Sequence, residues 1–280
     1  MAGTAETLPD AVGATTSGHV VLVGAGNMGG AMLRRWGAGT ISVVDPSPSP
    51  EIARHMREAG IAHHRAADGV GVADILVVAV KPQLMEGVLP TLRPTVGERT
   101  VVVSVAAGTT VATLAAALGT RRVVRTIPNT PAMVGEGITG AFATDEVPAQ
   151  GRAAVEALLR SNGAVLWVES EADIDRVTAV SGSGPAYVFH LAEALAAAAR
   201  ALGLDGDDAD RLARQTVIGA AALLRESAEP ASTLRERVTS PNGTTAAALA
   251  VLMEDEAMSK LMTRAVGAAH GRAVELGRGE

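Results

Sequence analysis

Gly24, Gly26 and Gly29 follow the apolar run HVVLV in the spacing Gly-x-Gly-x-x-Gly and lead into a stretch of helical composition. That arrangement brings backbone N–H groups up to a phosphate. The first glycine permits a tight turn, the second leaves room for a pyrophosphate, and the third lets a helix pack closely on the strand. The helix start adds unpaired N–H groups and a partial positive charge. Gly24, Ala25, Gly26, Asn27, Met28 and Gly29 are therefore a candidate cofactor cradle, with an ordinary Gly-rich turn as the alternative. Asp45 stands 21 residues after Gly24, where an acid can hold adenosine ribose hydroxyls. It favours NADH by opposing a 2′-phosphate. Ser47 and Ser49 can hydrogen-bond such a phosphate, and Asp45-Pro46 also reads as a simple turn, so NADPH and NADH both remain open.

Val80-Lys81-Pro82 and Ala106-Ala107-Gly108 fall just past the third and fourth apolar runs, at the edge where doubly wound sheets bind ligands. There they would line the nicotinamide half of a dinucleotide, although a solvated loop is the commoner place for a lysine. Asn129-Thr130-Pro131 follows the fifth run and suits a rigid turn as well as a ligand. Ser240-Pro241-Asn242-Gly243-Thr244-Thr245 is a polar loop opening an Ala-rich helix, and its free N–H groups suit a small carboxylate. Capping explains Thr244 alone, without requiring Ser240 or Thr245. Asn242 tolerates left-handed backbone. Arg237, just upstream, can contact a carboxylate or point to solvent.

These residues need a scaffold, and from residue 19 onward short β-branched runs alternate with helical stretches, the mark of a parallel sheet wrapped by helices. Strands are predicted at 19–23, 41–45, 75–80, 101–105 and 123–127. The runs are apolar throughout, as strands covered on both faces must be. A further pair at 138–143 and 164–168 ends this part. Beyond Asp173 the strand signal stops, and helices are predicted at 186–202, 209–227, 244–256 and 257–276. Residues 181–185, Ser-Gly-Ser-Gly-Pro, read as a tight loop with Pro185 opening the first of these helices. The fold class is thus α/β: a Rossmann dinucleotide-binding domain over 18–171, an all-α domain over 172–280, and a disordered tail over 1–17, with the boundary near 169–173.

Composition narrows the function. The formal net charge of −6 and the lack of any Lys/Arg run argue against a nucleic-acid partner. With no cysteine, thiolate catalysis, disulfides and Cys-ligated zinc are excluded, and a reducing cytoplasm fits. No apolar run approaches the roughly 20 residues of a membrane span, and the first 17 residues lack a secretory pattern. Segments such as LAEALAAAARAL are apolar around much of the helix, more than so short a helical domain can bury, so a homodimer is expected, with larger assemblies built from dimers open.

Five collinear segments, VKPQ from Val80, SVAAG from Ser104, IPNTPAMVGEG from Ile127, AVSGSGPAYVF from Ala179 and VTSPNGTTAAAL from Val238, together with the glycine loop, resemble the pyrroline-5-carboxylate reductases. The resemblance covers nearly the whole chain from His19. It implies reduction of the cyclic imine 1-pyrroline-5-carboxylate to L-proline by NADPH or NADH. It also implies that Ser240, Asn242, Gly243, Thr244 and Thr245 hold the substrate carboxylate, that Thr245 hydrogen-bonds the ring nitrogen as the catalytic contact, that Asn129 lies near the reacting ring, and that Glu171 lies near the product. Asn242 and Arg237 depart from residues common in the family. A β-hydroxyacid dehydrogenase shares the two-part layout but needs a lysine on the interdomain helix, and 186–202 has none. A non-catalytic dinucleotide sensor would have no use for the SPNGTT loop.

Overall fold

The computed structural model describes residues 18–37 and 39–278, and the tail predicted over 1–17 lies outside the described residues. Eight strands, β1 (His19–Val23), β2 (Thr40–Val44), β3 (Ala62–His64), β4 (Ala73–Val78), β5 (Val96–Ser104), β6 (Val123–Pro128), β7 (Gly137–Ala143) and β8 (Gly163–Trp167), form one sheet. Its order is β3-β2-β1-β4-β5-β6-β7-β8. The first six strands are parallel, whereas β7 pairs antiparallel with β6 and parallel with β8.

The helices α1 (Asn27–Leu33), α2 (Pro50–Glu58), α3 (Met85–Val88), α4 (Val111–Leu118), α5 (Ala149–Arg160) and α6 (Glu171–Val177) lie between or after these strands. α2 begins where Ser49 accepts a hydrogen bond from the Ile52 N–H and Pro50 presets the first turn. Alternate strand residues enter two separate cores. Val20, Leu22, Val43 and Val77 meet Met32, Leu33, Ile52, Met56 and Leu159 on one face. Val21, Val23, Leu76 and Val102 meet Leu89, Leu92, Leu114 and Leu118 on the other. This double burial is why the strand runs are apolar at every position.

The chain divides into two compact units, residues 18–183 with 269–278, and Gly184–Ala268. The division falls later than the boundary predicted at 169–173, because α6 packs on β6 and β7 and belongs with the sheet. The second unit holds α7 (Gly184–Ala201), α8 (Gly206–Glu226), α9 (Ala231–Arg237), α10 (Thr244–Met253) and most of α11 (Ala257–Arg278). Among its described residues the buried apolar side chains are three alanines, Ala196, Ala209 and Ala213, while Phe189, Leu202, Leu223 and Val251 are exposed. No helix among the described residues is long and apolar enough to cross a membrane.

Three local expectations need correction. Residues Thr178–Gly182 form a π turn continuing from α6, so 181–185 is no separate tight loop. The helix predicted over 244–256 stops at Met253, where Asp255 and Glu256 take left-handed backbone (φ 48° and 59°) and break it. β3 and α9 were not anticipated.

Candidate active site

The strand order reverses between β1 and β4, with β2 and β3 on one side and β5 onward on the other. At such a switch point the loops leaving neighbouring strands diverge and open a crevice at the carboxyl edge. A cavity of about 770 Å³ lies there, bordered by Gly24 and Gly26 after β1, Asp45 after β2, and Val80 and Lys81 after β4. Strand geometry alone therefore collects residues far apart in sequence.

The glycines differ in what a side chain would meet. Gly24 has φ +87°, and a Cβ there would lie 2.8 Å from the Ala79 carbonyl oxygen. At Gly29 a Cβ would come within 2.1 Å of the Gly24 oxygen, so α1 rests directly on the turn. Nothing lies within 4 Å of a Cβ at Gly26, which borders the cavity. Gly26 also opens α1 without any side-chain cap, leaving the first-turn N–H groups uncovered. A cradle whose middle glycine faces empty space fits a dinucleotide pyrophosphate. Ala25 and Gly29 are buried and Met28 packs on the core, so these three shape the loop from beneath. Asn27 is exposed at the start of α1.

Asp45 holds the same loop. Its Oδ2 accepts from the Ala25 N–H at 2.7 Å and its Oδ1 from the Ser47 N–H at 2.8 Å. Asp45 thus forms the turn and also borders the cavity. Beside it, β3 pairs with β2 in the register Val44↔His64. The Asp45 N–H donates to the His64 carbonyl at 3.0 Å, and His63 Nε2 lies 2.9 Å from the Asp45 carbonyl oxygen. Arg65, next along, borders the cavity. Sequence reasoning passed over it because the short strand AHH carries no apolar signal; the only hint was a base directly after a short His-His segment.

Ser47, Pro82, Ala106, Ala107 and Gly108 do not border the cavity. Ser104 Oγ accepts from the Ala106 N–H, and Gly108, at φ +74°, lies against the Leu276 backbone near the end of α11. Asn129 is buried, and its Oδ1 accepts from the Ile138 N–H at 2.9 Å, fixing the turn after β6. Glu171 is engaged by the protein itself: its Oε1 accepts from the Val111 N–H (2.8 Å) and from Arg125 Nη1 (3.1 Å). Arg125 Nη2 also donates to Asp175 at 2.9 Å. The Arg125 side chain is only 4% exposed, so this triad ties α4 and α6 to β6 and keeps a buried charge paired. An arginine inside the apolar run VVRTI was the signal that could have revealed it.

The polar loop before α10 lies in the helical unit. The Gly243 N–H donates to the Ser240 carbonyl at 3.1 Å, closing a turn in which Asn242 takes φ 58°, the left-handed backbone that asparagine tolerates. Gly243 is the N-cap, with no side-chain capping bond. Thr244 and Thr245 follow it with hydroxyls that bond to no described residue, so neither is spent on capping. Arg237 is held by Glu229 through two contacts, 2.5 and 2.6 Å.

Residues 171–276 match a family model described as pyrroline-5-carboxylate reductase dimerisation, and residues 19–108 one described as NADP oxidoreductase, coenzyme F420-dependent. The pyrroline-5-carboxylate reductase of Pseudomonas aeruginosa is 41% identical over 270 residues, which cover 92% of this chain and 96% of that protein. Its counterpart from Escherichia coli is 38% identical, covering 86% and 95%. The solved structure of a pyrroline-5-carboxylate reductase from Coxiella burnetii matches with a TM-score of 0.86 at 36% identity, over 93% of this chain and 98% of its own. That of the Plasmodium falciparum pyrroline carboxylate reductase, which has NADP bound, gives 0.78 at 26% identity, over 94% and 99%.

Proposed function

The chain belongs to the pyrroline-5-carboxylate reductase family and is an NAD(P)H-dependent oxidoreductase of the last step of proline biosynthesis; from that premise we propose how its residues divide the work. The observation that carries the reading is the open space at Gly26 in the cavity at the switch point. Bound NADPH or NADH supplies a hydride. The first-turn N–H groups after Gly26 would hold its pyrophosphate, Asp45 and Ser47 would serve the adenosine ribose, and Val80, Lys81, Pro82 and Ala106 to Gly108 the nicotinamide half.

The substrate carboxylate is held by the N–H groups that open α10, with Ser240, Asn242, Gly243 and Thr244 shaping the loop. The Thr245 hydroxyl hydrogen-bonds the ring nitrogen, its oxygen accepting from the N–H of the protonated imine. A cyclic imine protonated on nitrogen is already strongly electrophilic, so the protein's main task is orientation rather than proton transfer. The C=N carbon takes the hydride, the nitrogen keeps its proton, and L-proline results. Asn129, Glu171 and Arg237 act indirectly, through the turn and ion pairs that each maintains.

The helical unit carries the family's dimerisation region, and its apolar side chains, exposed in a single copy, support a homodimer as the working form. Larger assemblies would be built from that dimer. A cytoplasmic location fits a chain without cysteine. The test is loss of absorbance at the reduced-nicotinamide band with 1-pyrroline-5-carboxylate and each cofactor in turn; no oxidation of either cofactor would sink the reading.

A further inference from the structure

The geometry points to Arg65 as the residue that recognises the 2′-phosphate of NADPH and so sets this chain's cofactor preference. The inference rests on the reading of the cavity as a dinucleotide site and adds what that reading leaves open. β2 and β3 are parallel neighbours in the register Val44↔His64, so Asp45 and Arg65 both emerge at the carboxyl edge, side by side. The Asp45 N–H bond to the His64 carbonyl fixes that edge one residue before Arg65. Arg65 borders the same cavity as Gly26 and Asp45, is exposed, and has no hydrogen bond or ion pair with any described residue. A guanidinium without an acid partner, at the place where the second strand presents its ribose-binding acid, suits a phosphate on the ribose 2′ position.

Two carboxylates stand against this, Asp45 and Asp68, which also border the cavity. Asp45 has each oxygen on a backbone N–H, which disperses its charge and directs it to the loop. Asp68 is exposed and screened by solvent. Neither is paired with Arg65, so the guanidinium keeps its full donor set for a ligand.

The experiment titrates the full-length protein with adenosine 2′,5′-bisphosphate and with 5′-AMP by calorimetry, and with NADH as a check on the cavity. Wild type, Arg65→Ala and Arg65→Lys are compared. Wild type is expected to prefer the bisphosphate. Arg65→Ala should lose that preference by roughly ten- to a hundredfold, as for a charge-assisted contact, and Arg65→Lys should fall between them. An unchanged preference in Arg65→Ala overturns the proposal. Equal weakening of both nucleotides also overturns it, because Arg65 would then serve the adenine rather than the phosphate. If wild type binds NADH and AMP normally, such a result removes Arg65 alone. If wild type binds neither, the dinucleotide reading of the cavity fails and the proposal falls with it.

Discussion

Replacing Gly26 and Gly29 separately by alanine should split two functions that the glycine loop combines. At Gly29 the new Cβ would sit 2.1 Å from the Gly24 carbonyl oxygen, a backbone atom that cannot swing aside. Alanine gains about 1 kcal/mol of helix propensity, but an overlap of this depth costs about 1–3 kcal/mol or more, so the net effect is destabilising. At about 2–4 °C per kcal/mol, the melting temperature of Gly29→Ala should fall by several degrees. Gly26 has φ −72°, open to any residue, and nothing within 4 Å of the added carbon. Its gain of about 0.4–1 kcal/mol from a stiffer unfolded chain is offset by alanine being a poorer N-cap, so melting should move by no more than about 2 °C. The methyl group would occupy the space assigned to the pyrophosphate, and the Kd for NADPH should rise at least about tenfold, or about 1.4 kcal/mol. Thermal melts and a fluorescence titration on the two variants suffice. Wild-type cofactor affinity in a folded Gly26→Ala would refute the placement of the pyrophosphate.

Thr245→Val removes a hydroxyl that makes no hydrogen bond with any described residue, so melting should be unchanged while kcat/KM falls roughly 5- to 150-fold, or on the order of 1–3 kcal/mol. Wild-type kinetics would remove Thr245 from the substrate site. Sedimentation at micromolar concentration should show no folded monomer, because the helical unit buries only alanines by itself; a stable monomer with full helix content would contradict this. The Trp167 indole N–H, ahead of Arg160, holds the Glu156 carboxyl below its ordinary value of 4.5. A depressed carboxyl stabilises the fold above its ordinary pKa and loses that contribution as pH falls through the native value. The stability gap between wild type and Glu156→Gln should therefore be present near pH 7 and shrink as pH falls below the ordinary value of 4.5 and through the lowered native one, and a pH-independent gap in denaturant melts would refute this.

Five central strands were legible in the sequence because each alternate residue enters one of two cores, which forces an apolar run whatever the neighbours are. The glycine loop was legible because turn, open approach and close packing each demand a missing side chain at a fixed spacing. The segments around Lys81, Asn129 and Thr245 were legible as motifs, though not as contacts. β3 was hidden, since a three-residue edge strand with little burial has no periodicity, and it forms by pairing with β2. The breaks at 178–182 and 255–256 were hidden too, because neither carries proline and the left-handed residues there are Asp255 and Glu256 rather than glycine. Arg125, Glu171 and Asp175 meet only where α6 packs on β6, where burial of the guanidinium makes its pairing compulsory. What the sequence by itself determined was each local demand on backbone and burial. Only the tertiary structure decided which distant residues share the switch-point cavity, Arg65 beside Asp45 among them, because strand pairing and register are set by contacts between segments that no local stretch encodes.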